Sequence, residues 1–474
     1  MDCFRICVGT GPSANVEQMV NITASDMAIK PVNTTRRLGM NKQMRKAIGL
    51  VVSLALIPAV TYMAAPSSAA ENVTLTVWDP GLMGHLADGA LDTKTSFIYK
   101  AKVAYEKLHP NITIKISELD GGVADTQFRA ASIAKNGPDI KIGFAGGSTL
   151  SFAQFLEPLD SYFSGSELSR LKGIGTVRAD YKPNGALLAL PYGGGSYFYV
   201  FYDKRIMAAN KIDMRTPPKT WEAFLALAKK LKTAGVKTPI WETNLEGYTG
   251  AWVIASLVGG LLGPNAFNDM YTGDVSINSP EVVQAYAAYA KLYTSGVTNE
   301  DATTVSQGDR LNGFTSGKGA MIIDGGWDND PIYKALGSNA GEFAIPTLAG
   351  SKYPGMLAGG TNVAVALTNY SKHKSEAIAF MKYLVKPRTL DMYVATTQTE
   401  PSNHTHADPS VITNPLLVGQ AQDVRKRLQV YPFDNIMPGP VCDLFYKLNA
   451  SVALGQTTPA AAAKQLAEGF AASK

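Results

Sequence analysis

An α/β fold built on mostly parallel sheets is predicted by three observations on the 474-residue chain. From Val73 onward, short β-branched runs alternate with amphipathic stretches, the order that lays helices over the faces of a parallel sheet. A glycine-rich passage, "PYGGGS" at Pro191–Ser196, separates two strand-like runs and reads as a connection between two such blocks. Hydrophobic residues make up 46% and charged residues 18%, the balance of an ordinary globular protein long enough for two or three cored domains.

The alternation in "VTLTVW" (Val73–Trp78) predicts the first strand. "SFIYKAKVAYEKLH" (Ser96–His109) follows as a helix with Phe97, Ala101, Ala104, Tyr105 and Leu108 on one stripe, and Pro110 stops it. "NITIKIS" is the next strand, "DTQFRAASIAKNG" a helix closed by Gly137, and "PDIKIGFAGG" a strand running into a glycine turn. In sheets of this kind ligands sit at the carboxyl ends of strands, where Trp78 and Gly146–Ser148 fall. In the second block, "TPPKTWEAFLALAKKLKTAG" supplies Thr220 as N-cap and Gly235 as helix stop, and Ser279–Gly296 repeats the design. Further helices are expected at Lys374–Val385 and Pro459–Phe470. The glycine run is no phosphate loop, because no GxxxxGK[ST] occurs and no helix opens after it.

Charge and cysteines narrow the function classes. Of 44 Lys/Arg and 39 Asp/Glu, residues 1–70 hold seven and three, leaving 37 and 36 for the remainder. That near-neutral balance excludes a nucleic-acid surface, which needs a basic stripe. Lys42, Arg45 and Lys46, the apolar run Ala47–Val60 and the small residues of "PSSAA" are read as a signal peptide over 40–70, whose apolar run is short of the about 20 residues a membrane span needs. Residues 1–39 are expected to be an over-extended gene start, and cleavage is expected before Ala70 or Glu71. No cysteine stands at the cleavage point to carry a lipid anchor, so the exported chain is placed in the periplasm or outside the cell. Cys442 is the single cysteine after that point, so no internal disulfide or CxxC zinc pair is available. No HExxH occurs; His404 and His406 lie in a polar stretch expected to be loop. No cofactor is expected.

"FTSGKGAMIIDGGW" (Phe314–Trp327) is the most telling stretch: a helix end, a short strand and a glycine turn that presents a tryptophan. Together with "YEKLHPNITI", "NGPDI", "ALLALPYGGGSYFYVFYDK", "TPPKTWEAFLALAKKL", "EFAIPTLAG", "GGTNVAVA" and "IMPGPV", it resembles the family 1 extracellular solute-binding proteins, sugar-binding components of ABC importers. The matching stretches run in order from Val73 to Phe470. The resemblance implies a two-lobe periplasmic-binding-protein fold, type II-like, each lobe a mostly parallel sheet flanked by helices, hinged at crossover segments. It places residues 71–191 plus 342–400 in the first lobe and 192–341 plus 401–474 in the second. It implies a monomer that holds a carbohydrate between its lobes and delivers it to membrane permease subunits, without catalysis.

The ligand-binding candidates are Trp327 and Asp328, Trp78 and Asp79, Gly147 and Ser148, Tyr192, Tyr248, Gly360, Asn362 and Asp443. Trp327 would stack its ring on a sugar's C–H face, and Asp328 would accept hydroxyl hydrogen bonds. Structural alternatives are a core residue for Trp327, a core tryptophan for Trp78, a turn cap for Asp79, hinge packing for Tyr192, a tight crossover turn for Gly359, Gly360 and Asn362, and a helix-terminal acid for Asp443. Tyr248, in "NLEGYTGAW", departs from the family's local spacing by one residue. Trp221 and Trp252 are expected in the core. Two other classes stay open. A secreted glycoside hydrolase would pair carboxylates such as Asp79 and Asp328 across a cleft. An iron or polyamine binder would cluster ligands such as Tyr197, Tyr199 and Tyr202, which are expected instead to pack on one sheet face.

Overall fold

The computed structural model describes residues 71–83, 95–120, 123–192, 196–399 and 408–473. The gene start, the signal peptide, His404–His406 and the central glycines of "PYGGGS" lie outside the described residues. The strands are β1 (Val73–Asp79), β2 (Ile112–Glu118), β3 (Ile140–Phe144), β4 (Leu190–Tyr192), β5 (Ser196–Asp203), β6 (Ile240–Trp241), β7 (Met321–Gly325), β8 (Ala340–Ala344), β9 (Leu357–Gly360), β10 (Val363–Leu367) and β11 (Gln429–Val430). They form two sheets, ordered β2-β1-β3-β10-β4 and β11-β9-β5-β7-β6, with β8 also paired to β5.

Local chemistry explains most elements. Val73, Leu75 and Val77 of β1 point into the core while Thr74 faces solvent. Ser96 caps helix Phe97–Leu108 by accepting from the Tyr99 amide, and that helix buries Phe97, Ile98, Ala101 and Tyr105. Leu108, expected on the buried stripe, is 65% exposed, because the helix ends there and turns away. Thr220 and Ser279 cap helices Trp221–Thr233 and Pro280–Thr294, and Gly235 and Gly296 follow them at positive φ, where an L side chain would be strained. The Trp221 indole is buried and donates to the Ala288 carbonyl at 3.0 Å.

Each sheet is parallel except for one strand, and the exception has a simple cause. β10 runs against β3 and β4, and β5 runs against β7, β8 and β9. Both follow a passage from one sheet to the other: β4 ends at Tyr192 before β5, and β9 ends at Gly360 before β10. A strand that finishes at the interface hands the chain to one that must start there and run outward, hence antiparallel. The two passages lie side by side, with Tyr192 opposite Val363 and Ser196 opposite Gly360.

This topology moves the lobe boundaries. Residues 342–360, expected in the first lobe, carry the end of β8 and all of β9, both paired to β5 in the second sheet. The return passage is therefore Thr361–Asn362. Tyr192 stays in the first sheet, and Val411 and Ile412 pack on the first lobe's core. β5 is buried on both faces: Tyr197, Tyr199 and Phe201 pack on one side, Phe198, Val200 and Tyr202 on the other. The three tyrosines thus do not share one face, because position 202 is out of phase with 197 and 199 in a period of two.

Candidate functional site

The carboxyl ends of β1, β3, β7 and β9 bring most of the candidate residues to the region between the sheets. Trp327 sits on a short turn, Gly326–Asp328, directly after β7, whose five residues are all buried. The glycine before the turn is a steric necessity: a Cβ on Gly325 would lie 2.0 Å from the Trp327 ring. The indole therefore folds back over its own strand end. It packs edge-on against Trp252 at 5.4 Å and Phe198 at 6.1 Å, leaving the residue half-buried. After the turn, the buried Asn329 exchanges side-chain hydrogen bonds with Gln420, and its carbonyl accepts from Asn414, so the mount is fixed on both sides.

The aromatic surface continues along helix Tyr248–Leu262. Tyr248 stands one turn before Trp252, is 36% exposed, and meets Tyr446 edge-on at 4.9 Å. The Tyr446 hydroxyl donates to Asp434 Oδ2 at 2.9 Å. Asp443, exposed on helix Gly439–Ala453, and Glu246 lie close enough to Tyr248 to raise its phenol pKa beyond what burial does alone.

Beneath Trp327 lies a group of buried charges that the sequence did not single out. Asp324, the penultimate residue of β7, is fully buried, and Arg310 is 1% exposed. The guanidinium lies 4.1 Å over the Trp252 ring, donates from Nη1 to the Ile323 carbonyl at 2.7 Å, and approaches Asp324 Oδ2 at 3.7 Å. Burial raises the Asp324 carboxyl pKa, with Arg310 opposing. Burial and the neighbouring Asp324 carboxyl drive Asp328 well above its usual range. Glu242, just past β6, is pushed by burial to about 7 although Arg310 and the Tyr293 hydroxyl, 3.1 Å away, favour its charge. Among the described residues, Glu242 Oε1, Arg310 Nη2 and Asp324 Oδ2 find no hydrogen-bond partner. A charged side chain inside an otherwise apolar strand, as in "MIIDG", was the available signal.

The first lobe offers a smaller face. Trp78 is half-buried at the end of β1, edge-on to Phe128 at 6.5 Å. Beside it in register stands Lys141, 7% exposed, which pairs with Asp125 at 3.1 Å and lies over the Phe128 and Phe152 rings. Ser148 donates to the other oxygen of Asp125 at 3.0 Å.

Several candidates are engaged elsewhere. Asp79 is buried, accepts from the Leu82 and Met83 amides, and is pushed by burial to about 6; it caps the turn after β1. Tyr192 is in the first lobe's core, stacked on Phe97 at 5.9 Å with its hydroxyl on the Leu384 carbonyl. A Cβ on Gly147 would be 2.1 Å from the Met437 carbonyl, so this glycine permits contact between the lobes. Gly360 packs its backbone on the Tyr431 ring at φ +148°, and the Asn362 side chain accepts from Asn435 at 3.0 Å, so both are packed at the return passage between the sheets. Pockets of about 590 and 520 Å³ lie against the Arg129–Tyr370 surface and along β2, and touch none of the candidate residues. Among the described residues, no three His, Cys, Asp or Glu are placed to hold a metal ion.

Comparison with known proteins agrees with this architecture. Curated relatives include the sn-glycerol-3-phosphate-binding periplasmic protein UgpB of Brucella abortus, 29% identical over 47% of this chain and 49% of its own length. UgpB of Agrobacterium fabrum is 26% identical over 55% and 54%. The chain thus spans about half the length of the curated relatives it matches. The fold is shared with a structure from work on xylan utilisation by Caldanaerobius polysaccharolyticus, with a TM-score of 0.73, 22% identity and coverage of 84% and 99%. It is also shared with the maltotriose-bound maltodextrin-binding domain of Bdellovibrio bacteriovorus, with a TM-score of 0.65, 18% identity and coverage of 85% and 99%. The family model for bacterial extracellular solute-binding proteins matches residues 90–389, well over half of the chain. The chain belongs to the bacterial extracellular solute-binding protein family.

Proposed function

We propose that this protein is the exported substrate-binding component of an ABC importer, a monomer that captures a carbohydrate, best an oligosaccharide, between its lobes and passes it unchanged to a membrane permease. The observation that carries the reading is Trp327: a partly buried indole at a strand end, seated by Gly325 and braced by Trp252 and Phe198, with Tyr248 open further along the same face. Aromatic faces suit the C–H side of a pyranose, and the acids behind them suit its hydroxyls. Ligand that touches both lobes favours the closed arrangement by its differential affinity for it. Structural neighbours bound to maltotriose and to raffinose lend support.

The curated relatives favour a second reading, in which the solute is glycerol 3-phosphate. A glycoside hydrolase is less well supported, since the Asp79 carboxyl that would face Asp328 is occupied by the Leu82 and Met83 amides. A thermal-shift screen against neutral mono- and oligosaccharides tests the proposal. A binder at a hundred times its Kd adds about 2.7 kcal/mol of apparent stability. Release of reducing ends from a bound oligosaccharide would replace the binding protein with an enzyme.

A further inference from the structure

The turn that carries Trp327 is held by side-chain amides that lead out of its own lobe. Asn329, the first residue of helix Asn329–Leu336, is buried, and its side chain exchanges hydrogen bonds with Gln420 at 2.8 and 2.7 Å. Gln420 reaches on to Glu342 of β8 at 2.6 Å, which stays within the second lobe. The Asn329 carbonyl leads elsewhere, because it accepts from Asn414 Nδ2 at 2.9 Å. Asn414 caps helix Pro415–Lys426 by accepting from the Leu416 amide at 3.0 Å, and its own N–H donates to Gln398 Oε1 at 3.0 Å. Gln398 closes helix Pro387–Thr397, whose Leu390, Tyr393 and Val394 lie in the first lobe's core.

Gln398 is fitted to this junction. Its Nε2 donates to the Val394 and Val411 carbonyls, and its Oε1 accepts from the Thr413 and Asn414 amides. Its backbone stands at φ +48°, in the left-handed region that favours glycine, so these bonds hold a strained residue in place. Gln398, Asn414, Asn329 and Gln420 are each at most 6% exposed, so a partner lost here is not readily replaced by water. Leu416 and Leu417, at the start of the capped helix, pack into the cores of opposite lobes. Gln398, Asn414 and Asn329 therefore form an unbroken buried chain from a first-lobe helix to a residue two positions past the indole.

We propose that Asn414 is a positioning residue for the ligand-binding turn: by joining Gln398 to Asn329, it makes the seat of the Trp327 ring depend on the lobe to which the ring does not belong. The inference rests on the solute-binding reading. The two strand passages are enough to keep the lobes connected, so a buried amide chain along a third connection adds a constraint on where the ring can stand. A lobe movement that pulls on this chain must leave a buried amide unpaired or carry the turn along, and carrying the turn costs less. A solute stacked on Trp327 thereby biases the position of the first lobe, and that position biases the affinity of the ring for solute.

The test joins two measurements on the purified exported protein: calorimetric titration with maltotriose, and Trp327 emission taken as the difference between each protein and its Trp327→Phe counterpart. Serine caps a helix about as well as asparagine but is too short to reach the Asn329 carbonyl, so Asn414→Ser keeps the cap and cuts the tie. The expected result is a shifted Trp327 emission in the ligand-free variant, with circular dichroism unchanged. Maltotriose affinity should fall about threefold to tenfold, the worth of one buried hydrogen bond. Gln398→Ala leaves both the cap and the turn intact and should reproduce the emission shift. The double variant should add little to either single change, because both cut the same chain. Thr220→Ala, which removes the cap of another helix, controls for general loss of stability and should leave Trp327 emission in place. Parental emission and affinity in Asn414→Ser overturn the positioning role and leave Asn414 a helix cap. Unmoved emission in folded Gln398→Ala overturns the coupling to the first lobe. Failure of maltotriose to bind any of these proteins counts against the carbohydrate reading, while their ligand-free emission still decides the tie.

Discussion

The loop after β3 and the loop after β7 begin alike, each leaving the carboxyl end of a largely buried strand through two consecutive glycines. Their uses diverge. At Gly146 and Gly147 the missing side chains let the backbone touch the carbonyls of Asn435, Ile436 and Met437 in the other lobe. At Gly325 the missing side chain makes room for the chain's own Trp327 ring. The charges beneath them differ as well: Lys141 and Asp125 form a matched pair beside the first turn, whereas one arginine faces three carboxyls under the second. A pair of glycines serves contact between the lobes in one place and the seating of the chain's own ring in the other, and what lies opposite decides which.

The largest effect is expected at the first turn. Gly146 has φ +72° and ψ −134°, a region that L residues rarely enter, and a Cβ there would fall 1.6 Å from the Asn435 oxygen. Gly146→Ala combines backbone strain with a clash against backbone that cannot rotate aside, so a loss of about 3 kcal/mol is expected in denaturant unfolding. A loss below about 1 kcal/mol would mean that the turn does not dock on the second lobe in solution, and the contrast between the turns would fail.

The second effect sharpens the electrostatic half of the comparison. Glu242 has a folded pKa of about 7 against an ordinary 4.5, so the folded chain keeps its proton longer than the unfolded chain. Its contribution to stability is present at low pH and is lost as pH rises from about 4.5 to about 7. The size is roughly 3 kcal/mol at 1.36 kcal/mol per pKa unit. Glu242→Gln should flatten stability across that window and leave the variant more stable than the parent at pH 8. Asp79, raised to about 6, contributes a smaller slope between about 4 and 6 that should survive in the variant. An unchanged pH profile would show that the carboxyl is already ionised and solvated.

Sequence legibility follows the same division between local and opposite. The alternation of β1, the caps Thr220 and Ser279, and the glycine mount of Trp327 are local patterns, and the structure carries them at the expected positions. Asp79 and Tyr192 are residue types equally at home in a ligand site or a core, and only tertiary contacts place them in a turn cap and in the first lobe's interior. Arg310, Asp324 and Glu242 stand in three separate stretches, up to 82 positions apart, with no spacing to betray their convergence. The boundary at residue 342 was misplaced for a related reason: β8 reads as a strand in the sequence, but its partner is visible only once β5 pairs with it.

The smallest effect in energy is the most direct test of display. Trp327 packs its inner edges on Trp252 and Phe198 yet remains half-buried, so truncation should cost less stability than the 3–5 kcal/mol typical of a fully buried tryptophan. Trp327→Ala is expected to weaken the binding of neutral oligosaccharide about tenfold or more, about 1.4 kcal/mol, with Trp327→Phe retaining part of the affinity. Gly325→Ala reaches the same ring from behind: its Cβ must displace the indole, so it should reproduce much of the affinity loss although it removes nothing from the ring. Tryptophan fluorescence should shift in Gly325→Ala before any sugar is added, because the indole has left its seat on Trp252. If Trp327→Ala instead lowers the melting temperature strongly while sugar affinity holds in the folded fraction, the ring belongs to the core. The turn after β7 would then resemble the turn after β3, a packing device without a display role.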